Sequence, residues 1–198
     1  AAVVRRLAPP AVRRARARLA AAAATALAHP EMTLGRRTSV ALQELLGRMS
    51  GSSSLAAVMR ACQTLEVATR LSVVCCAELA KQGAVPILYS LIRSCNRSGP
   101  HLLLLRHALA TLRHVSRQPA LVVYVAAPAE AVEVLVDLLQ MFRDKERTFM
   151  LAVGVLSLVC KYKAKTMGAN STKEYWMPVE LEKRLRSIAK LLSRKHQV

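Results

Sequence analysis

The chain has 198 residues, 53% of them apolar, which is enough to bury a core without disulfides or metals; seven Gly and eight Pro are too few for collagen or a low-complexity linker. With one Trp, four Tyr and two Phe against abundant Ala and Leu, the composition argues against an all-β domain and for helix. Thirty Lys+Arg against twelve Asp+Glu give a net +18, a field that favours acidic partners: nucleic acid, an anionic membrane or an acidic protein surface.

The charge sits at the ends. Residues 1–37 carry eight Arg and one Glu, hence +7. Residues 38–160 carry twelve basic and eight acidic groups, hence +4, and residues 161–198 carry ten and three, hence +7. Two basic arms flank a nearly balanced middle.

Residues 1–28 fit a basic helix broken at Pro9-Pro10, where proline removes donors and disfavours helix in the preceding residue. Residues 30–37 form a linker with Pro30, Gly35 and the pair Arg36-Arg37. Arg36-Arg37-Thr38-Ser39 fits a basophilic kinase site, with Ser39 as acceptor just before a helix, where phosphate is favourable. Residues 1–30 lack acids and are rich in Arg and Ala, as mitochondrial transit peptides are. The chain starts at Ala1 without Met, so it is expected to be a piece of a longer protein in which these residues are not a leader.

From Thr38 onward a pair of helices recurs. Residues 83–99 open with Gly83, admit Pro86 in a first helical turn and place Leu88, Leu91 and Ile92 on one face. Ser94 to Pro100 make a stop and turn. Residues 101–116 form a second helix with Leu105, Ala108, Leu109, Leu112 and Val115 inward, at the spacings of three and four that define an amphipathic helix. Downstream, residues 129–144 repeat the first helix, with Leu138-Leu139 standing 47 residues after Leu91-Ile92. Residues 147–160 repeat the second, with Ala152 and Leu156 standing 44 residues after Ala108 and Leu112. Upstream, residues 38–49 place Leu45-Leu46 46 residues before Leu91-Ile92, and residues 54–72 place Ala61 and Leu65 47 residues before Ala108 and Leu112. A period near forty-five residues is that of armadillo and HEAT repeats, whose helix pairs bury their apolar faces only when stacked. The stretches Val73 to Gln82 and Pro119 to Ala126 are short apolar helices of the kind that open such a repeat, and each recurring Ala marks a close approach by a neighbouring helix.

Residues 163–178, with Gly168, Asn170, Ser171, Thr172 and Pro178, are expected to form a linker. Residues 179–197 are a helix with Leu181, Leu185, Ile188 and Leu192 as its apolar stripe. Lys183, Arg184, Arg186, Lys190, Arg194 and Lys195 cover the remainder and are the candidate surface for an acidic partner. Glu180 and Glu182 in the first turn and Arg194-Lys195 in the last suit the helix dipole.

Little supports catalysis. The chain has two aspartates, Asp137 on the polar side of a helix and Asp144 in the turn Arg143 to Arg147, and it lacks the G-x-S-x-G, P-loop and H-E-x-x-H motifs. Cys62, Cys75, Cys76, Cys95 and Cys160 are odd in number, lie in apolar runs and form no C-x-x-C, as buried reduced thiols do. His107 and His114 share a helix face two turns apart, too far to chelate as an i, i+4 pair, and Arg106 and Arg113 share the neighbouring face. No metal or cofactor is expected. The longest apolar run, Phe149 to Cys160, is too short to span a membrane. The basic ends carry no interleaved aromatics for base stacking, so nucleic-acid binding would be electrostatic and sequence-indifferent. A basic helical-repeat protein binding nucleic acid in that way is the alternative to a protein scaffold.

The string LEVATRLSVVCCAELAKQGAVPILYSLIRSCNRSGP (65–100) resembles a segment near the C-terminus of the abnormal spindle-like microcephaly-associated protein family, which follows a long array of calmodulin-binding IQ motifs. Residues 132–145 and 188–197 resemble later strings of that family, so the likeness covers roughly 38–198 and is most specific at Arg93 to Ser98. The opening AAVVRR resembles the start of an IQ-type helix, although the Ile-Gln core and Arg-Gly spacing are missing. Peptide-binding armadillo domains repeat an Asn where this chain has Val67, His114 and Leu158, so an importin-type cargo groove is not expected.

The resemblance implies a large non-enzymatic scaffold at spindle poles that organises and focuses microtubule minus ends in mitosis and meiosis. It implies katanin as a partner and calmodulin through the parent protein's upstream IQ motifs, in the cytoplasm and cytoskeleton with the nucleus in interphase. The expected fold is all-α, an armadillo/HEAT-like α-solenoid of about three repeats. Residues 1–37 would be a basic helix and linker left from an IQ-type helix, 38–162 the repeats, and 163–198 a linker and basic C-terminal helix.

Overall fold

A computed structural model describes residues 36–37, 40–44, 54–168 and 177–195. All regular structure among the described residues is helical. Helix α1 is Leu55–Leu71, α2 Val73–Lys81, α3 Ala84–Arg93 and α4 Gly99–Ser116. Helix α5 is Val122–Ala126, α6 Ala131–Met141, α7 Glu146–Gly168 and α8 Val179–Lys195.

Local chemistry sets the breaks. The Ser54 hydroxyl accepts from the Ala57 N–H at 3.2 Å and caps the start of α1. Ser72 serves two helices: its N–H closes α1 on the Ala68 carbonyl at 3.0 Å, and its hydroxyl accepts from the Cys75 N–H at 3.3 Å to cap α2. Gly83 then turns the chain into α3 at φ 75°, a left-handed conformation that a side chain would strain. After α3 the Asn96 side-chain oxygen accepts from the Ser98 N–H at 2.9 Å, and the Asn96 N–H donates to His101 Nδ1 at 3.1 Å.

The helices lie in two layers. In one, α4 packs between α1 and α7; in the other, α6 packs between α3 and α8. Short α2 fills the corner among α1, α3 and α4, and short α5 fills the matching corner among α4, α6 and α7. The recurring residues occupy equivalent places: Ala61, Ala108 and Ala152 are 4%, 0% and 1% exposed, which lets three long helices approach closely. Leu65, Leu112 and Leu156 are buried one turn further on, and Leu91-Ile92 and Leu138-Leu139 are buried in the other layer. Each such fully buried Leu stabilises the stack by about 1.5–3 kcal/mol relative to an exposed one. Tyr89, fully buried on α3, donates its hydroxyl to the Val125 carbonyl of α5 at 3.1 Å, and burial raises its pKa so that the phenol keeps its proton.

Three local expectations change. Helix α7 runs on to Gly168, through residues assigned above to a linker from position 163. Residues 161–167 contain Lys, Ala and Met with no Gly or Pro, and Lys165 in the last turn suits the negative end of the helix dipole. Gly99-Pro100 belong to the first turn of α4 instead of a turn before it, because a proline at a helix start loses no hydrogen bond. Arg36 and Arg37 are helical, not linker. Within the expected helix 38–49, residues 40–44 are helical, with Ala41 and Leu42 buried. The N-terminal helix at 1–28, Leu45-Leu46 and residues 169–176 lie outside the described residues.

Candidate interaction surface

Helix α8 presents its stripe inward as patterned. Ile188 is buried, and Leu181 and Leu185 are half-buried against the core on α6. The Leu192 side chain lies outside the described residues. The basic residues divide into roles. Arg184, 27% exposed, pairs with Asp137 of α6 and donates to Gln140 Oε1 at 2.6 Å, so it fastens α8 to its neighbour. Arg186, 73% exposed, pairs within the helix with Glu182, and Lys183 lies 3.4 Å from Glu180. Those two are solvent-facing pairs worth a few tenths of a kcal/mol at most, easily exchanged for a partner's carboxylates. Lys190 is exposed on the same helix. Arg194 and Lys195 lie in its last turn, their side chains outside the described residues, and Ser39 also lies outside them.

His107, His114 and Asp144 find partners far away in sequence. His107 of α4 pairs through Nδ1 with Glu66 of α1. The His114 ring shares a hydrogen bond of 3.2 Å with the Thr69 hydroxyl of α1, which also donates to the Leu65 carbonyl at 2.7 Å. Asp144, in the turn after α6, accepts both carboxylate bonds from Arg97 at 2.7 and 2.8 Å. No group of three or more His, Cys, Asp or Glu that could hold a metal occurs among the described residues. None of the five cysteines forms a disulfide; burial raises the Cys76 pKa to about 11 and also raises that of Cys160, so both thiols stay protonated. No helix among the described residues is long and apolar enough to cross a membrane.

His114 makes stability depend on pH. Burial, the largest influence, lowers its pKa below the usual histidine value; Glu66 opposes this, and Arg117, Arg70 and Arg113 reinforce it. The unfolded chain therefore takes up a proton near pH 6.5 that the folded chain accepts only at lower pH. Stability from this site is whole above about pH 6.5 and is lost as pH falls through the folded value. Urea midpoints between about pH 7 and 5 should fall less steeply for His114→Asn than for the native chain; identical slopes would remove His114 as the source.

These cross-helix pairs were missed in sequence, yet a signal existed. Arg97 to Asp144 and Asp137 to Arg184 each span 47 residues, the same step that separates Leu91 from Leu138. Complementary charges at that interval were therefore candidate partners.

The chain is 34% identical over 174 residues to the abnormal spindle-like microcephaly-associated protein homolog of Canis lupus familiaris, covering 85% of this chain. It is homologous to the abnormal spindle-like microcephaly-associated proteins. The Felis catus homolog is 33% identical over 171 residues and again covers 85% of the chain. The Homo sapiens protein is 38% identical over 115 residues, 58% of the chain. The chain spans only 5% of the length of the dog and cat proteins and 3% of the human one. No family model matches the chain, and no solved structure matches it significantly.

Proposed function

We propose that this chain is a C-terminal helical-repeat domain, an armadillo/HEAT-like solenoid of about three repeats, from a non-enzymatic spindle-pole scaffold that organises and focuses microtubule minus ends. The observation that carries the reading is the likeness, over 85% of the chain, to proteins named for the spindle. The side-by-side long helices with Ala61, Ala108 and Ala152 at equivalent contacts support the repeat architecture. The exposed Lys183, Arg186 and Lys190 of α8 support a contact with acidic protein surfaces such as tubulin tails, to which the sequence adds Arg194 and Lys195 in the same helix. Katanin is the partner that the family resemblance suggests, and calmodulin would bind the upstream IQ motifs of a parent protein. The same resemblance suggests the spindle pole in division and the nucleus in interphase.

The test is co-sedimentation of the chain with microtubules at two salt concentrations, beside a variant with those five cations changed to Ala. Arg184 stays in place because it fastens α8 to α6. Salt-sensitive pelleting that falls several-fold in the variant supports direct contact through α8. Pelleting unchanged by the substitutions, or by removal of the tubulin tails, removes α8 as the contact. No pelleting of either form leaves the domain a docking platform for other spindle-pole proteins.

A further inference from the structure

The layer opposite α8 carries a second charged feature. A groove of about 420 Å³ runs across α1, α4 and α7. Four arginines line it: Arg106 and Arg113 from α4, Arg117 directly after it, and Arg147 from α7. Arg70 of α1 lies near enough to act on His114, which also lines the groove. The one acid in the lining is Glu66, and it is paired with His107. No salt bridge among the described residues engages Arg113, Arg117 or Arg147. Gathering four cations around one acid costs self-repulsion that an anionic occupant would relieve.

The guanidinium groups are also positioned. Arg106 Nε donates to the Thr148 hydroxyl of α7 at 3.2 Å, and Thr148 is fully buried, so this arm is fixed while its other N–H donors are left over. Arg113 lies across α7 at Gly154, where an added Cβ would come within 3.0 Å of its Nε. Glycine in the middle of α7 costs helix stability, and here it makes room for a cation. Arg106 and Arg113 stand two turns apart on α4, about 10.5 Å along the axis. Three residues of extended chain cover that distance, at about 3.3 Å each.

We infer that this groove binds an extended acidic protein segment, its carboxylates meeting Arg106, Arg113, Arg117 and Arg147. Guanidinium and carboxylate pair through parallel N–H···O bonds, which favours this match over a point charge. Leu103 and Met150, 50% and 56% exposed in the lining, offer apolar contact to residues between the acids. No Phe, Tyr or Trp side chain lines the groove, so the large ring faces on which bases usually stack are missing from its lining, which favours protein over nucleic acid. The inference does not depend on the spindle reading, because α8 packs on α6 in the other layer.

The test is fluorescence anisotropy of the whole chain with a fluorescein-labelled peptide that carries Glu at every third position and Leu or Ser between. The native chain should bind it, more weakly as salt rises. Arg117→Glu with Arg147→Glu should weaken binding at least about tenfold, and the milder Arg117→Gln with Arg147→Gln should weaken it less but in the same direction. Both positions are exposed, so helical circular dichroism should be unchanged. The α8 variant should bind the peptide as the native chain does. Equal binding by the double variants, or equal binding of a peptide with Gln for Glu, overturns the inference. So does a single-stranded oligo-dT that binds more tightly than the peptide and is lost in the same variants, which would make the groove a nucleic-acid site.

Discussion

Phe142→Ala is expected to lower the free energy of unfolding by about 3–5 kcal/mol. Phe142 is fully buried at the C-terminal end of α6. Its backbone is held on both sides: its N–H donates to the Leu138 carbonyl and its carbonyl accepts from the Lys145 N–H, each at 2.9 Å. The surrounding chain cannot slide inward to fill the space, so the lost ring leaves a cavity at the corner joining α6 to α7. Helix α6 packs on α3, α5, α7 and α8, so loosening its end is felt in both layers. Urea unfolding followed by circular dichroism should show a lower midpoint with the slope retained. A loss under about 1 kcal/mol would mean that the corner collapses around the deletion.

Ala108→Leu is expected to destabilise by about 1–3 kcal/mol, although it adds only apolar volume. Ala108 is 0% exposed on α4, the helix that packs between α1 and α7. Three extra heavy atoms must push one neighbour away, and the close packing of an interior allows little accommodation. The same change at Ala110, on the rim of the groove and 8% exposed, has more room and should cost less. Thermal unfolding of the two variants side by side separates the explanations. Equal losses would mean that helix propensity, not the helix crossing, sets the cost.

The helical class and the buried faces were legible in the recurring Ala and Leu, because apolar residues at helical spacing mark the side of a helix that turns inward. Gly83 and the Pro86 entry likewise carried local rules that tertiary packing left in force. The end of α7 was not legible in the same way. A polar, lysine-rich stretch looks like linker by composition, yet Lys, Ala and Met extend a helix once its preceding turns are packed. The candidate surface was half legible. The stripe on α8 gave its docking face, but six cations on one helix look alike in sequence, and only the position of Asp137 on α6 assigns Arg184 to the fold. Likewise Arg106 and Arg113 were visible as a shared helix face, whereas Gly154 and Thr148, which position them, lie 41 and 42 residues away from Arg113 and Arg106.

The long-range polar links share one more property, the length of chain they close. Tyr89 to Val125 spans 36 residues, Glu66 to His107 spans 41, Arg106 to Thr148 spans 42, Thr69 to His114 spans 45, and Arg97 to Asp144 and Asp137 to Arg184 span 47. Loop-closure entropy grows only with the logarithm of length, so each of these closures costs nearly the same. In the solenoid proposed above, folding has no single distant contact to wait for and can begin at any adjacent pair of units. In that proposed architecture breakage would obey the same rule: an opened end unit would leave the far pair closed, so unfolding would proceed by units from an end.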